Sequence, residues 1–119
     1  MKDDYFLLRP EKVKWNSIDL NRWLSEEAIE KFEKYINWNC IVMFKELSEG
    51  FIRKNKSKID WGLVSRYQKL SEDFIREFKE EVDWGCISIC QILSKEFIEE
   101  FKDRIDWPGE LMSNFYRYK

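Results

Sequence analysis

Cysteines and carboxylates are the side chains of this sequence that could do chemistry, because it contains no histidine. Histidine is the commonest general base and the commonest metal ligand in proteins. Cys86 and Cys90 stand four residues apart, on one face of a helix, but a zinc site needs two further ligands and Cys40 supplies at most one. All three cysteines lie in apolar stretches, so we expect reduced core residues, no metal site and no cofactor.

The carboxylates are numerous, and pairs of acids can act as general acid and base. Here they recur beside basic residues at helical spacing, as Glu27 with Lys31 and Glu72 with Arg76, which is typical of a solvated helix face. Glycine-rich phosphate loops, GxSxG motifs and Cys–His pairs are absent from the sequence. We therefore expect no enzyme and no catalytic residue. Three aspartates fit helix N-caps: Asp60, Asp83 and Asp106.

One basic run could bind a partner rather than catalyse. Residues 53–58 read Arg-Lys-Asn-Lys-Ser-Lys, and a second cluster follows at residues 66–69. Such a patch would meet an acidic protein or a phosphate backbone, whereas the alternative is a poorly packed, solvated helix. The predicted partner-binding residues are Arg53, Lys54, Asn55, Lys56, Lys58, Arg66, Tyr67 and Lys69.

Composition limits the class of protein. Of 119 residues, 44% are hydrophobic and 37% are charged, which favours a folded helical protein over a disordered one. A net charge of -2 gives no general attraction to nucleic acid or to an anionic membrane. Only four apolar residues follow the acidic start, too few for a signal peptide, and no stretch approaches a membrane span. We expect a cytoplasmic protein.

A 23-residue repeat organises the chain. The dipeptide Leu-Ser recurs at this spacing, and so does tryptophan. We expect a single domain with an N-terminal cap segment (1–12), a half repeat (13–23), full repeats at 24–46, 47–69 and 70–92, and a last repeat with a C-terminal cap (93–119). The predicted structural wedges between repeats are Trp15, Trp38, Trp61, Trp84 and Trp107.

Each repeat contains two helix starts. In the third full repeat, Ser71 and Asp83 are N-cap candidates, and Leu70 can pack on Ile75 as a hydrophobic staple. The second segments, such as 86–90, could also be short strands by propensity, but the caps favour helices. We expect a first helix of about ten residues and a second of about eight, both too short to be stable alone. The prediction is an all-α fold, a short α-solenoid of tandem 23-residue two-helix repeats with N- and C-terminal caps.

Four departures from the repeat could carry function: the basic run of the second full repeat, its more polar second helix (residues 65–69), the insertion in the last repeat, and the missing first helix of the first repeat. Asn55 stands where other repeats have phenylalanine, and Trp23 falls outside the tryptophan spacing, where we expect a core residue rather than an interface hot spot. Residues 1–12 are expected to run extended over one end of the array, with Tyr5, Phe6 and Leu8 covering it. Pro108-Gly109 reads as part of a C-terminal cap, and we expect the aromatic-basic end at residues 115–119 to pack over the last repeat, the alternative being that it binds a partner.

The repeats resemble the short tryptophan-bearing helical repeats, roughly LSE-x-FI-x-x-FK-x-x-[IV]DW, of bacteriophages, giant DNA viruses and related bacteria. The resemblance covers residues 13–107 and implies an all-helical array. Because such repeats occur in phages, it also implies a host-interaction role, such as anti-CRISPR-like inhibition of a bacterial defence protein in the host-cell cytoplasm.

We therefore expect a non-enzymatic module that binds a protein. One alternative is nucleic-acid binding through the basic patch of the second full repeat, and another is a structural or self-assembling repeat protein. No membrane association is expected.

Overall fold

The 23-residue repeat of the sequence reappears as a succession of short α-helices. The computed structural model describes residues 9–105, and every regular element in this part is helical. The all-α prediction is thus confirmed for these residues. The α-helices are α1 (Ile18–Trp23), α2 (Glu26–Lys31), α3 (Trp38–Phe44), α4 (Glu49–Lys54), α5 (Trp61–Tyr67), α6 (Glu72–Glu77), α7 (Trp84–Cys90) and α8 (Lys95–Glu100), and 3-10 helices lie at Pro10–Lys12 and Glu33–Tyr35.

The chain forms two compact units, Met1–Ile59 and Asp60–Lys119. We call them the N-terminal and C-terminal units. Their boundary falls between the two helices of the second full repeat, so that α4 belongs to one unit and α5 to the other. None of the helices in the described part is long and apolar enough to cross a membrane.

Side-chain caps fix where each α-helix begins. Ser71 accepts a hydrogen bond from the amide of Phe74 at the start of α6, and Asp83 accepts one from the amide of Cys86 at the start of α7. These bonds satisfy backbone donors that lack a partner within the helix. The predicted caps at Ser71, Asp83 and Asp60 are confirmed, and residues 86–90 are helical rather than extended.

The helices are shorter than we expected. The first helix of each full repeat has six residues instead of about ten, and the second has seven. In α6 the helix ends at Phe78, whose φ of -110° and ψ of 32° interrupt the helical path. Beyond it the amide of Glu81 bonds to the Phe78 carbonyl at 2.9 Å, three residues back. The chain therefore tightens into a 3-10-type turn where a longer α-helix was predicted.

The half repeat starts differently from the others. Lys14 stands at the repeat position where other repeats have an N-cap aspartate or asparagine, and its side chain has no hydrogen-bond acceptor. The N-cap is Ser17 instead, whose hydroxyl accepts from the amide of Leu20 at 3.3 Å. As a result, Trp15 precedes α1 instead of beginning it. Its indole Nε1 donates to the carbonyl of Pro10 at 2.8 Å, and Pro10–Lys12 is a 3-10 helix, so the prediction of an extended segment is wrong for these residues.

Buried positions follow the repeat. An isoleucine in each first helix is buried, and so is an aliphatic residue in the middle of each second helix from α3 onward. Trp23 departs from our expectation, since its side chain is 39% exposed instead of buried in the core. The repeating core positions are Ile29, Ile52, Ile75 and Ile98 in the first helices, and Ile41, Val64 and Ile87 in the second helices.

Several predictions fall outside residues 9–105. They concern the apolar cover at Tyr5, Phe6 and Leu8, the cap at Asp106, the wedge at Trp107 and the cap that follows it.

Candidate interaction surface

Tryptophans join consecutive repeats within each unit. In the C-terminal unit the Trp61 ring stacks on Phe78 at 4.9 Å, and the Trp84 ring stacks on Phe101 at 5.1 Å. In the N-terminal unit the Trp38 ring lies 6.0 Å from that of Phe51. These three tryptophans thus contact a phenylalanine of the following repeat.

Polar side chains also connect neighbouring repeats. In the C-terminal unit the Glu72 carboxylate accepts hydrogen bonds from the Ser94 amide at 2.6 Å and from its hydroxyl at 3.0 Å. Glu26 accepts the same two bonds from Ser48 in the N-terminal unit, at 2.7 and 3.0 Å. Our prediction that Glu72 pairs with Arg76 is wrong, because its carboxylate turns toward the next repeat.

Arg76 pairs across repeats instead. Its guanidinium donates to Glu100 at 2.8 Å and to Asp73 at 2.8 Å. These bonds raise the pKa of Arg76, and the hydrogen bond from Arg76 lowers the pKa of Glu100. The pairing occupies the outer face of the first helices in this unit.

Gln91 holds the carboxyl ends of α5 and α7 together. The side chain is buried, and its Nε2 donates to the carbonyls of Ser65 at 2.9 Å and Gln68 at 2.7 Å. Its Oε1 accepts from the amide of Leu70 at 3.2 Å. The backbone that follows α5 is thereby fixed against the end of α7, and side chains at these two helix ends keep a defined spacing.

The basic run at residues 53–58 lies in the N-terminal unit and is largely compensated. Lys54 Nζ lies 3.0 Å from a Glu30 carboxylate oxygen, and Lys58 Nζ lies 2.6 Å from one of Glu33. Arg53 and Lys56 are exposed, and each has an interaction partner. Paired cations attract phosphate groups less than free ones do, so this run is not the open positive surface that the binding interpretation of the sequence requires.

Asn55 is a correction to the predicted binding set. It is only 4% exposed, and its Nδ2 donates to the Phe51 carbonyl at 2.9 Å. The residue stands at the C-cap of α4, where a phenylalanine packs inward in the other full repeats. Since the position points into the unit, Asn55 is not available to a partner.

Arg66, Tyr67 and Lys69 lie in the C-terminal unit and are exposed. Tyr67 is 50% exposed, and the Arg66 guanidinium lies 6.0 Å from its ring centroid. Neither Arg66 nor Lys69 takes part in any ion pair among residues 9–105. These two cations differ in this respect from Lys54 and Lys58.

A groove of about 410 Å³ opens beside these residues. Its exposed apolar lining comes from Tyr67 and Ile92, and its charged lining comes from Arg66 and Lys69. Other lining residues are Gln68, Leu70, Ser71, Cys90 and Gln91. We call this groove, together with the exposed Ile89 on α7, the end groove.

Sequence reasoning missed Ile89, Cys90 and Ile92. Ile89 is 60% exposed and Ile92 is 66% exposed, although both stand in an apolar stretch. A signal was present in the repeat: Ile89 aligns with Arg66, and Ile92 aligns with Lys69. A position that is charged in one repeat is a surface position, so an isoleucine there is an exposed apolar side chain.

The three cysteines lie within residues 9–105 and are free thiols there. Among residues 9–105, no group of three or more His, Cys, Asp or Glu side chains could hold a metal ion. Burial, followed by the negative charge of Asp83, raises the pKa of the Cys86 thiol. Cys86 is half-buried, whereas Cys90 is exposed in the end groove.

Comparisons with protein-family models, with curated proteins and with solved structures give no match to this chain.

Proposed function

We propose that the protein is a non-enzymatic helical-repeat module that binds a partner protein through the end groove. The observation that carries the proposal is the exposure of Tyr67 and Ile92 in a groove lined by Arg66 and Lys69, with Ile89 also exposed on α7. Neither cation forms an ion pair with another residue of the range 9–105. Exposed apolar patches rimmed by polar residues are typical of protein-binding surfaces, and tyrosine and arginine are enriched at their energetic centres.

The proposed architecture is a short α-solenoid. Within each unit, successive repeats contact one another through the same tryptophan–phenylalanine pairs and the same glutamate–serine hydrogen bonds. Helices of six or seven residues are not stable alone, so stacking supplies the burial that each repeat needs. A solenoid also presents the ends of its second helices side by side, which favours a continuous binding edge.

The proposed target is a bacterial protein. The resemblance of the repeats to those of phages and giant viruses supports a viral protein that inhibits a host defence protein in the bacterial cytoplasm. A binding surface without catalytic groups fits an inhibitor that occludes its target. The compensated charge of the basic run gives nucleic-acid binding no comparable support.

Affinity capture from a bacterial lysate tests the proposal when it is done with matched variants. The wild-type chain is compared with the double variant Tyr67→Ala/Ile92→Ala and with Lys54→Glu, a control on the exposed basic run. We expect a host protein that the wild type and Lys54→Glu retain and that the double variant loses. Circular dichroism checks that all three chains remain folded. If no captured protein depends on Tyr67 and Ile92, the proposal is wrong.

A further inference from the structure

We infer that the end groove recognises an acidic segment of the partner that carries an apolar anchor side chain. The inference rests on the proposed function and adds the chemistry of the bound segment. Its basis is charge complementarity, because among the described residues that line the groove Arg66 and Lys69 are the charged ones and none is acidic.

The remaining polar lining offers little competition for the ligand. Gln91 is buried and uses both ends of its amide to hold the backbone of Ser65, Gln68 and Leu70. Gln68 is also buried. The charged groups of the described lining are therefore the two cations. Cations that lack a partner carboxylate are ready to accept one from another molecule.

Arg66 is placed to bind a carboxylate with defined geometry. Its guanidinium lies 6.0 Å from the Tyr67 ring, which limits the orientations of the charged group. An arginine fork can donate two parallel hydrogen bonds to one carboxylate, and Lys69 adds a second positive charge three residues along the chain. Two acidic side chains of a partner segment could therefore be bound next to each other.

The apolar part of the groove sets the second requirement. Tyr67 and Ile92 expose large apolar surfaces in the groove, and Leu70, which also lines it, is nearly buried. A leucine or phenylalanine of the partner would cover this surface and remove it from water. Single-stranded nucleic acid fits less well, since phosphate binding uses many cations along a strand and this groove offers two.

Fluorescence anisotropy with two labelled peptides tests the inference. In one peptide, aspartates and glutamates flank a leucine and a phenylalanine, and in the other a lysine replaces each acid. We expect the acidic peptide to bind, and binding to weaken as salt rises, because exposed charges are screened. The lysine peptide should bind far more weakly.

Three variants make the test specific. Arg66→Glu/Lys69→Glu should weaken binding of the acidic peptide about tenfold to a hundredfold, because it removes charge-assisted hydrogen bonds and adds repulsion. Lys54→Glu changes the charge of an exposed lysine elsewhere and should leave affinity within about twofold. Arg66→Ala/Lys69→Ala repeats the test without repulsion, and circular dichroism checks the fold of each chain.

The contradicting outcomes are distinct. The inference is overturned if both peptides bind with equal affinity. It is also overturned if Lys54→Glu weakens binding of the acidic peptide as much as Arg66→Glu/Lys69→Glu does. Tighter binding of a single-stranded oligonucleotide with the same dependence on Arg66 and Lys69 overturns it too, as does concentration-dependent dimerisation that needs the same residues and excludes the peptide. If a captured protein depends on Tyr67 and Ile92 but not on the two cations, the inference fails while the proposed function stands.

Discussion

Replacing Gln91 with methionine should destabilise the C-terminal unit. Methionine resembles glutamine in length and volume but can neither donate nor accept the three hydrogen bonds of the amide. The change leaves the buried carbonyls of Ser65 and Gln68 and the buried amide of Leu70 without hydrogen-bond partners. Gln91 is only 6% exposed, so water cannot replace the lost bonds.

The expected loss follows from the number of stranded groups. Each buried polar group without a partner lowers the free energy of unfolding by about 1–3 kcal/mol. Because the apolar methionine side chain gains from its burial and offsets part of the loss for the three groups, we expect a net loss of about 2–5 kcal/mol. With a urea dependence of about 2 kcal/mol per molar, the unfolding midpoint should fall by about 1–2.5 M. Such a shift is a large part of the stability of a small protein.

Urea unfolding followed by tryptophan fluorescence and by circular dichroism measures this shift. Cys90→Ser is the matched control, because it changes the neighbouring exposed side chain and should leave the midpoint nearly unchanged. A Gln91→Met midpoint equal to that of the wild type would refute the reasoning that this amide holds α5 and α7 together.

Three further predictions concern the contacts between repeats and the cysteines. Trp84→Ala should lower the free energy of unfolding in urea by about 2–4 kcal/mol, near the lower end for core aromatics because the ring is only half-buried. Trp23→Ala should lower it by less, and equal losses in the two variants would contradict the role of Trp84 as a wedge. The hydrogen bond from Arg76 lowers the pKa of Glu100, so this carboxyl contributes stability that is complete above its unfolded pKa of about 4.3 and is lost as pH falls through the lower folded value. Glu100→Gln should therefore lower the melting temperature at neutral pH and reduce its fall at acidic pH. An unchanged dependence of the melting temperature on pH would argue against the pairing of Arg76 with Glu100. Iodoacetamide should alkylate Cys90 faster than Cys86, since Cys90 is exposed and burial raises the pKa of Cys86; mass spectrometry of timed samples shows which thiol reacts first.

Helix starts could be predicted from the sequence because caps are local. Ser71 bonds to an amide three residues away, and the same spacing recurs in each full repeat. Helix ends could not be predicted as well, since the turn at Phe78 places an aromatic side chain against Trp61 of the preceding repeat. That contact depends on packing that the local pattern does not contain.

The partners of charged residues were predicted only within a helix. Arg76 reaches Glu100, and Lys54 reaches Glu30, each across 24 residues, so that rules for neighbours on one helix miss both pairs. The candidate site changed for the same reason. The sequence shows no ion-pair partners for the basic run at Arg53–Lys58, but in the structure Lys54 and Lys58 are paired with carboxylates. The end groove is instead marked by exposed isoleucines, at positions that charged residues occupy in another repeat.

Hydrogen–deuterium exchange of the chain, alone and with the host protein that it captures, tests the central claim most directly. The proposal predicts slower exchange at residues 66–71 and 89–92 in the complex and unchanged exchange at residues 53–58. Protection confined to residues 53–58, or to any part of the chain outside the end groove, would contradict it.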